Sequence, residues 1–209
     1  MKTYKTIIGI DPGINGGVTI IHDGIPKVFD VPTKIEEKAK KKKRVFDKEA
    51  MAALFRPYAG RDSLVCLELV HAMPGNGNVS MFGFGRGFGV WEGIIAAFEM
   101  DLDIIPPQRW KKTWTVELMK SVEKPDGLDL SKEEIKKLSK TKKKEYDDLK
   151  KDFDQKKAKA KEEAKDSARL LAAKLYPHLA DMFKLKKHDG RAESLLIAEH
   201  KRLEILNVK

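Results

Sequence analysis

The sequence has little of what marks a secreted or membrane-spanning protein. It contains a single cysteine, Cys66, which excludes an internal disulfide framework and a cysteine-based zinc site. No apolar run approaches the roughly eighteen residues that a membrane helix needs. The N-terminus also lacks the apolar core and the cleavage site of a secretory signal. We therefore expect a soluble protein of the cytoplasm, with no membrane partner.

Acidic residues are scarce relative to basic ones. The chain of 209 residues has 42 Lys and Arg against 32 Asp and Glu, a formal net charge of +10. Residues 34–44 and residues 131–169 each carry a surplus of five positive charges, and the rest of the chain is neutral. Such basic segments suit a polyanion, nucleic acid above all and an anionic membrane surface next. The alternative, that these charges only solvate exposed faces, stays open for both segments.

The first part of the chain reads as strands. The β-branched run Thr6–Ile10 ends at an Asp-Pro-Gly turn signal. Two more strand patterns follow over 16–22 and 26–31, and together they predict a three-stranded antiparallel meander. The basic segment 34–44 is predicted to be a loop. A helix is predicted over 45–58, with Asp47 or a neighbour as its cap.

The middle of the chain predicts a buried strand and an apolar helix. The run 63–70 is apolar except for Glu68, a pattern typical of a central strand that is covered on both faces. A glycine-rich loop is predicted over 74–89, leading into a helix through Trp91. A short strand over 102–105 completes an α/β or mixed sheet.

The last part of the chain predicts helices. No glycine or proline occurs between residues 131 and 176, and Ser131 begins a capping-box pattern with a Glu three residues on. This stretch is expected to be either one long helix or a helical hairpin, and the sequence leaves both open. Pro177 ends it, and a final helix is predicted over 189–206.

Four acidic residues occupy unusual places. Asp11 ends the first strand, Glu68 interrupts the most apolar strand, and Asp189 and Glu193 share one face of the last helix. Each one taken alone has a simpler explanation, as a turn residue, an ion-pair partner or a helix cap. Together they are able to converge on one edge of a sheet, where carboxylates would hold Mg²⁺ or Mn²⁺. Two such ions would support phosphodiester hydrolysis.

Four motifs carry a family resemblance. In order they are IIGIDPGINGGVTII, LELVHAMP, SMFGFGRGFGVWEGII and HDGRAESLLIAEH. This set resembles the RuvC-like Holliday junction resolvases (crossover junction endodeoxyribonucleases), with the bacteriophage and poxvirus-like branch looking closest. The resemblance covers most of residues 5–114 and 165–202. Residues 34–44 and 129–161 look like insertions, a basic loop and a charged helical segment.

The resemblance implies both a fold and an activity. The fold would be a single RNase H-like α/β domain, a mixed five-stranded sheet flanked by helices, with the long helical insertion. The activity would be that of a metal-dependent hydrolase, a nuclease that resolves four-way DNA junctions and other branched DNA by paired cuts in recombination and repair. The enzyme would work as a homodimer, and in the bacterial host cytoplasm if a bacteriophage encodes it.

The resemblance also assigns residues to the metal site. Asp11, Glu68, Asp189 and Glu193 match the four acidic ligands, which are catalytic and would hold two Mg²⁺ ions, with Mn²⁺ as a substitute. The bacterial enzymes usually have two aspartates in a D-x-x-D helix, whereas this chain has D-x-x-x-E; the spacing still places both acids on one face. His188 precedes this pair. It is expected either to orient water or a phosphate or to be an ordinary surface histidine.

DNA contacts are expected from the glycine-rich element and from lysines. The resemblance places an aromatic side chain at the junction centre, with Phe82 as the best candidate and Met81 or Phe84 as substitutes. The alternative is that Phe82 and Phe84 are core or dimer contacts. The helix over 89–99 is either a dimer surface or core. The predicted DNA-binding residues are Met81, Phe82, Arg86, Lys111, Lys112, Lys41, Lys42, Lys43 and Arg44.

Two competing functions remain. A non-catalytic protein that binds branched DNA could use the same fold, although binding alone does not need four acids. An actin-like ATPase is the other alternative, because IGIDPGINGG also resembles that family's first phosphate motif. No second Asp-x-Gly motif of that family is evident.

Overall fold

The structure is a computed structural model that describes residues 2–38, 41–70, 77–114 and 124–207. The strands of this part of the chain are β1 (Thr6–Ile10), β2 (Gly17–His22), β3 (Ile25–Asp30), β4 (Thr33–Lys38), β5 (Lys41–Phe46), β6 (Ser63–Glu68) and β7 (Asp101–Ile105). Its α-helices are α1 (Lys48–Phe55), α2 (Asn78–Ala97), α3 (Pro107–Thr113), α4 (Lys132–Lys137), α5 (Lys140–Leu175) and α6 (Asp189–Asn207).

Five strands form one mixed sheet in the order β3-β2-β1-β6-β7. Strands β1, β2 and β3 are the antiparallel meander that the turn signals predict. Strands β1, β6 and β7 are parallel. The α/β class and the mixed five-stranded sheet are therefore confirmed.

Strand β6 lies in the middle of the parallel part, and all six of its residues are buried. Val65 and Leu67 face a core shared with Trp91 of α2. Leu64 and Cys66 point the other way, into a core shared with α3, α5 and α6. Because side chains alternate along a strand, burial of both sets requires helices on both faces of the sheet. The prediction of a central, doubly covered strand is confirmed.

The basic segment is a β-hairpin, so the prediction of a loop over 34–44 is wrong. Strands β4 and β5 pair antiparallel as a separate two-stranded sheet. Glu37 lies opposite Lys42, and the two form an ion pair at 3.0 Å. Cross-strand pairs of opposite charge favour such a ladder in a segment with few apolar residues. Helix α1 begins only at Lys48, because β5 extends to Phe46, and Asp47 caps it.

Most of the glycine-rich region is helical, which corrects the predicted loop over 74–89. Helix α2 begins at Asn78, and residues 71–76 lie outside the described part of the chain. The Phe46 ring packs against Gly87, where an added Cβ would lie 2.5 Å from it. Trp91 and Ile95 are buried in the core. These tertiary contacts outweigh the low helix propensity of glycine.

The charged segment contains two helices rather than one. Ser131 and Glu134 form the predicted capping box at the start of α4. The chain is extended at Leu138, and Ser139 caps a second helix, accepting from Lys142 N at 3.3 Å. Helix α5 then runs unbroken for 36 residues, about 54 Å, so the helical hairpin is excluded. No helix in the described ranges is both long enough and apolar enough to span a membrane.

Candidate metal centre

Two of the acids lie at neighbouring strand ends. Asp11 directly follows β1, and Glu68 is the last residue of β6. The two strands are parallel and paired with Ile10 beside Leu67. Asp11 and Glu68 therefore lie next to each other at the same edge of the sheet.

Helix α6 reaches this edge because glycines allow its backbone to come close. A Cβ added to Gly9 of β1 would lie 2.2 Å from the carbonyl oxygen of Ser194. A Cβ on Gly190 would lie 2.4 Å from Cα of Gly16, which pairs with it in an isolated bridge. Only glycine tolerates approaches of this kind. The contacts on either side of Glu193 hold its carboxylate against the sheet edge.

The structure brings three of the predicted acids together. Carboxylate oxygens of Asp11, Glu68 and Glu193 all lie within 4.8 Å of one another. The Trp110 indole Nε1 donates to Glu68 Oε1 at 3.0 Å, and Gly13 N donates to Asp11 Oδ1 at 3.3 Å. These two neutral donors orient the carboxylates, but they do not neutralise three negative charges.

Burial and mutual repulsion disfavour the ionised forms of this group. Burial raises the pKa of Asp11. Burial, followed by the charge of Asp11, raises the pKa of Glu68 to about 7 and that of Glu193 to about 8. The ammonium of Lys111 acts in the opposite direction on all three pKa values. A divalent cation would relieve the repulsion, and a set of carboxylate oxygens suits Mg²⁺ or Mn²⁺.

Asp189, the fourth predicted ligand, is not in this group. Its Oδ2 lies 2.6 Å from Lys165 Nζ, and its Oδ1 accepts from Arg169 Nη1. Both cations belong to α5. The sequence predicted neither contact, because the i,i+4 spacing of Lys165 and Arg169 shows only that they share a face, not that this face meets α6. Trp110, the donor to Glu68, was likewise not predicted, although it adjoins the predicted Lys111.

His188 is buried, so the prediction of an ordinary surface histidine is wrong. It is 8% exposed, and its Nδ1 accepts from Leu185 N at 3.3 Å. Burial, with the nearby charges of Arg191 and Lys187, lowers its pKa. This contact closes the short 3-10 turn that leads into α6, which is a structural role.

The aromatic candidates lie on the surface of α2. Phe82 is 74% exposed and Phe84 is 50% exposed, so the prediction of a core contact is wrong for both. Met81 is half-buried and Arg86 is exposed. An exposed phenylalanine is available for stacking or for contact with another chain.

The basic candidates are placed differently from one another. Lys111 lies over the Trp110 ring, with Nζ 5.0 Å from the ring centroid, beside the acids. Lys112 and Lys43 are exposed. Lys42, also exposed, pairs with Glu37. Arg44 donates to Asn15 Oδ1 in the loop after β1, so this guanidinium is engaged within the protein. The side chain of Lys41 lies outside the described structure.

Comparisons with known proteins give no family assignment. No protein-family model matches the sequence, and no curated protein matches it significantly. A functional conclusion therefore depends on the geometry of the acids and on the motifs in the sequence.

Proposed function

We propose that the protein is a metal-dependent, structure-selective endonuclease that resolves four-way DNA junctions on an RNase H-like fold. The observation that carries the proposal is the convergence of Asp11, Glu68 and Glu193, with oxygens within 4.8 Å of one another, at one sheet edge. Three carboxylates this close together destabilise a fold unless a bound cation neutralises them.

The topology supports the proposed fold. The strand order, with three antiparallel strands followed by two parallel ones, is compatible with an RNase H-like sheet. The motifs that resemble the resolvases also coincide with the elements that build the site. IDPG lies at the end of β1, the strand glutamate at the end of β6, and DGRAES at the start of α6.

In this proposal Asp11, Glu68 and Glu193 hold the metal. A Mg²⁺ ion held by these residues would supply Lewis-acid chemistry, lowering the pKa of a bound water molecule and offsetting negative charge on the phosphate. Trp110 keeps the Glu68 carboxylate in a fixed orientation through its indole N–H. Lys111 lies over the same indole ring, so its ammonium is placed to attract a DNA phosphate toward the acids.

Exposed aromatic and basic side chains on α2 and on the hairpin support branched DNA as the substrate. Phe82 and Phe84 present aromatic faces on which an unstacked base could lie, and stacking of this kind is worth roughly 1–3 kcal/mol per base. Lys42 and Lys43 lie on the hairpin, where they would contact phosphates without reading the sequence. Phe46 at the base of the hairpin packs on Gly87 of α2, so the basic and aromatic surfaces are joined directly.

A homodimer would supply one active site to each of two strands. On α2, Trp91 and Ile95 are buried in the core of one chain, so these residues do not form a dimer surface. Gly89 and Gly93 lie on the exposed side, and an added Cβ there would meet nothing within 4 Å.

A cleavage assay with a labelled immobile four-way junction tests the proposal. We expect paired, symmetric nicks in Mg²⁺ or Mn²⁺, none in EDTA, and none with Glu68→Gln, which should still bind the junction. Linear duplex of the same sequence is the control substrate. Tight junction binding without cleavage in either metal would favour the non-catalytic alternative. Hydrolysis of ATP in place of DNA would favour the actin-like ATPase.

A further inference from the structure

Asp189 is bound on both carboxylate oxygens by Lys165 and Arg169, which we call the cation clamp. Lys165 Nζ lies 2.6 Å from Oδ2, and Arg169 Nη1 donates to Oδ1. Arg169 also donates through Nη2 to Asp166, one turn earlier on α5. The side chains of Arg169 and Asp189 are only 11% and 17% exposed. A partly buried pair with several hydrogen bonds holds its geometry better than an exposed one.

The grouped acids have no comparable partner. Across the described ranges, no lysine or arginine nitrogen lies within 4.0 Å of a carboxylate oxygen of Asp11, Glu68 or Glu193. Asp189 is four residues before Glu193 and so lies on the same side of α6. Its position is next to the metal centre, but its charge is already neutralised by the cation clamp.

An open depression lies beside the cation clamp. Its volume is about 270 Å³, and it contains four cationic side chains against three carboxylates, with Asp189 on its wall. The cations are Lys161, Lys165, Arg169 and Lys186. A phosphate group that enters this space would meet the ammonium of Lys165 and the guanidinium of Arg169 directly. Carboxylate and phosphate oxygens both accept hydrogen bonds from a guanidinium and from an ammonium, so Lys165 and Arg169 can exchange one acceptor for the other.

We infer that the cation clamp keeps Asp189 out of the metal centre until a DNA phosphate takes its place. In the free protein, Asp11, Glu68 and Glu193 hold the first cation. When a backbone phosphate enters the depression, Lys165 and Arg169 transfer their hydrogen bonds from Asp189 to the phosphate oxygens. Asp189 then becomes a free carboxylate and completes a second cation position. The inference rests on the proposed nuclease function. It adds the order of two events, because DNA binds before the second cation position is complete.

Manganese binding without DNA tests the cation clamp. The number of Mn²⁺ ions is measured by calorimetry, and magnetic coupling between two ions by electron paramagnetic resonance. We expect one tight Mn²⁺ in the wild type. In Arg169→Gln and in Lys165→Gln, a second Mn²⁺ should bind about tenfold more tightly than in the wild type, a size usual for coupling between sites. Arg169→Lys keeps the charge next to Asp189, so its second Mn²⁺ should bind more weakly than that of Arg169→Gln. Lys159→Gln is the matched control, an 80% exposed lysine of the same helix.

DNA binding in EDTA tests the exchange from the other side. Asp189→Asn frees both cations, so it should tighten junction binding about tenfold in the absence of metal. The gain should disappear when Arg169→Gln is added, because the phosphate is then without its main partner. Asp30→Asn is the control, since Asp30 pairs with Arg191 outside the cation clamp. An equal gain from Asp30→Asn would show a general effect of charge and would overturn the inference.

The manganese results separate this inference from the proposed function. Two equally tight Mn²⁺ ions in the wild type, or no change in the second site of Arg169→Gln and Lys165→Gln, would overturn the cation clamp and leave a metal-dependent nuclease intact. No Mn²⁺ binding by any variant would overturn the proposed metal centre, and the inference with it.

Discussion

Replacing Glu68 with glutamine should stabilise the metal-free protein at alkaline pH while abolishing cleavage. Its pKa is raised from 4.5 to about 7, because of burial and then the charge of Asp11. At a pH where Glu68 is protonated in both the folded and the unfolded state, its raised pKa does not change the free energy of unfolding. As the pH rises above the unfolded pKa, this free energy falls, and the loss reaches about 3 kcal/mol once the pH passes the folded pKa. About 2 kcal/mol of this develops between roughly pH 5.5 and pH 8.5.

Thermal unfolding in EDTA at these two pH values measures the effect. The wild type should lose stability between them, and Glu68→Gln should lose about 2 kcal/mol less, a relative gain of roughly 4–8 °C in Tm for a chain of this size. The glutamine amide oxygen would still accept from the Trp110 indole, so the packing is retained. Adding Mg²⁺ should raise the Tm of the wild type at the higher pH and have little effect on the variant.

The matched control is Glu199→Gln on the same helix as Glu193. Glu199 is 3% exposed, but it pairs with Arg202 at 2.8 Å and accepts from Tyr176. Its replacement should destabilise the protein at both pH values, because the buried Glu199 side chain then loses its ion pair with Arg202, whose own side chain is 37% exposed. If Glu68→Gln behaved like Glu199→Gln, or showed the same pH dependence as the wild type, the reasoning about three repelling carboxylates would be refuted.

Three further predictions concern DNA and packing. Phe82→Ala removes a 74% exposed ring and should lower the preference for a junction over duplex about tenfold, with an unchanged Tm, as measured by binding in EDTA. Lys42→Gln with Lys43→Gln should reduce the slope of log K against log salt by roughly 0.9 for each phosphate that the hairpin no longer neutralises, as measured by fluorescence anisotropy. Gly190→Ala should cost at least about 2 kcal/mol in urea unfolding, because its Cβ would lie 2.4 Å from the backbone of the loop after β1. Gly93→Ala should instead stabilise by up to about 1 kcal/mol, since its Cβ would meet nothing within 4 Å and alanine favours a helix.

Each of these has an outcome that contradicts it. If Phe82→Ala preferred the junction over duplex as strongly as the wild type does, the Phe82 ring would not contact the junction, and a contact between chains would be its remaining role. Lys5→Gln is the control for the hairpin, because Lys5 precedes β1 and Asp11 follows it. If the double substitution on the hairpin gave the same salt slope as Lys5→Gln, phosphate contacts by the hairpin would be excluded. Similar stabilities of the two glycine variants would show that α6 does not rest on the loop after β1.

Several elements could be predicted because their cause is local. The alternation and β-branching of β1 and β2 and the turn signals between them predict a meander, whatever packs on it. The continuous apolar run of β6 requires cover on both faces, which is satisfied only in the middle of a sheet. The sequence also predicted Asp11 at the end of the first strand and Glu68 in the central strand, but the parallel pairing that brings the two together was decided by the tertiary structure.

Other elements depended on contacts between distant residues. The hairpin at β4 and β5 and the helical glycines of α2 have weak local signals, and they are stabilised together where Phe46 packs on Gly87. The glycines of α2 by themselves favour a loop, because they lower helix propensity. The exposure of Phe82 was also undecided, since an aromatic residue in a glycine-rich segment is compatible with core, interface or surface.

The sequence by itself determined the class of the fold, the position of Asp11 at the end of the first strand and of Glu68 in the central strand, and the two segments that hold the excess positive charge. Only the tertiary structure decided that Glu193 joins Asp11 and Glu68 while Asp189, four residues earlier, pairs with Lys165 and Arg169. The reason is that helical spacing defines a face but not what meets it. The distance between α6, α5 and the sheet is set by backbone contacts at Gly9, Gly16 and Gly190, and a shift of a few ångströms decides whether a carboxylate repels its neighbours or is paired.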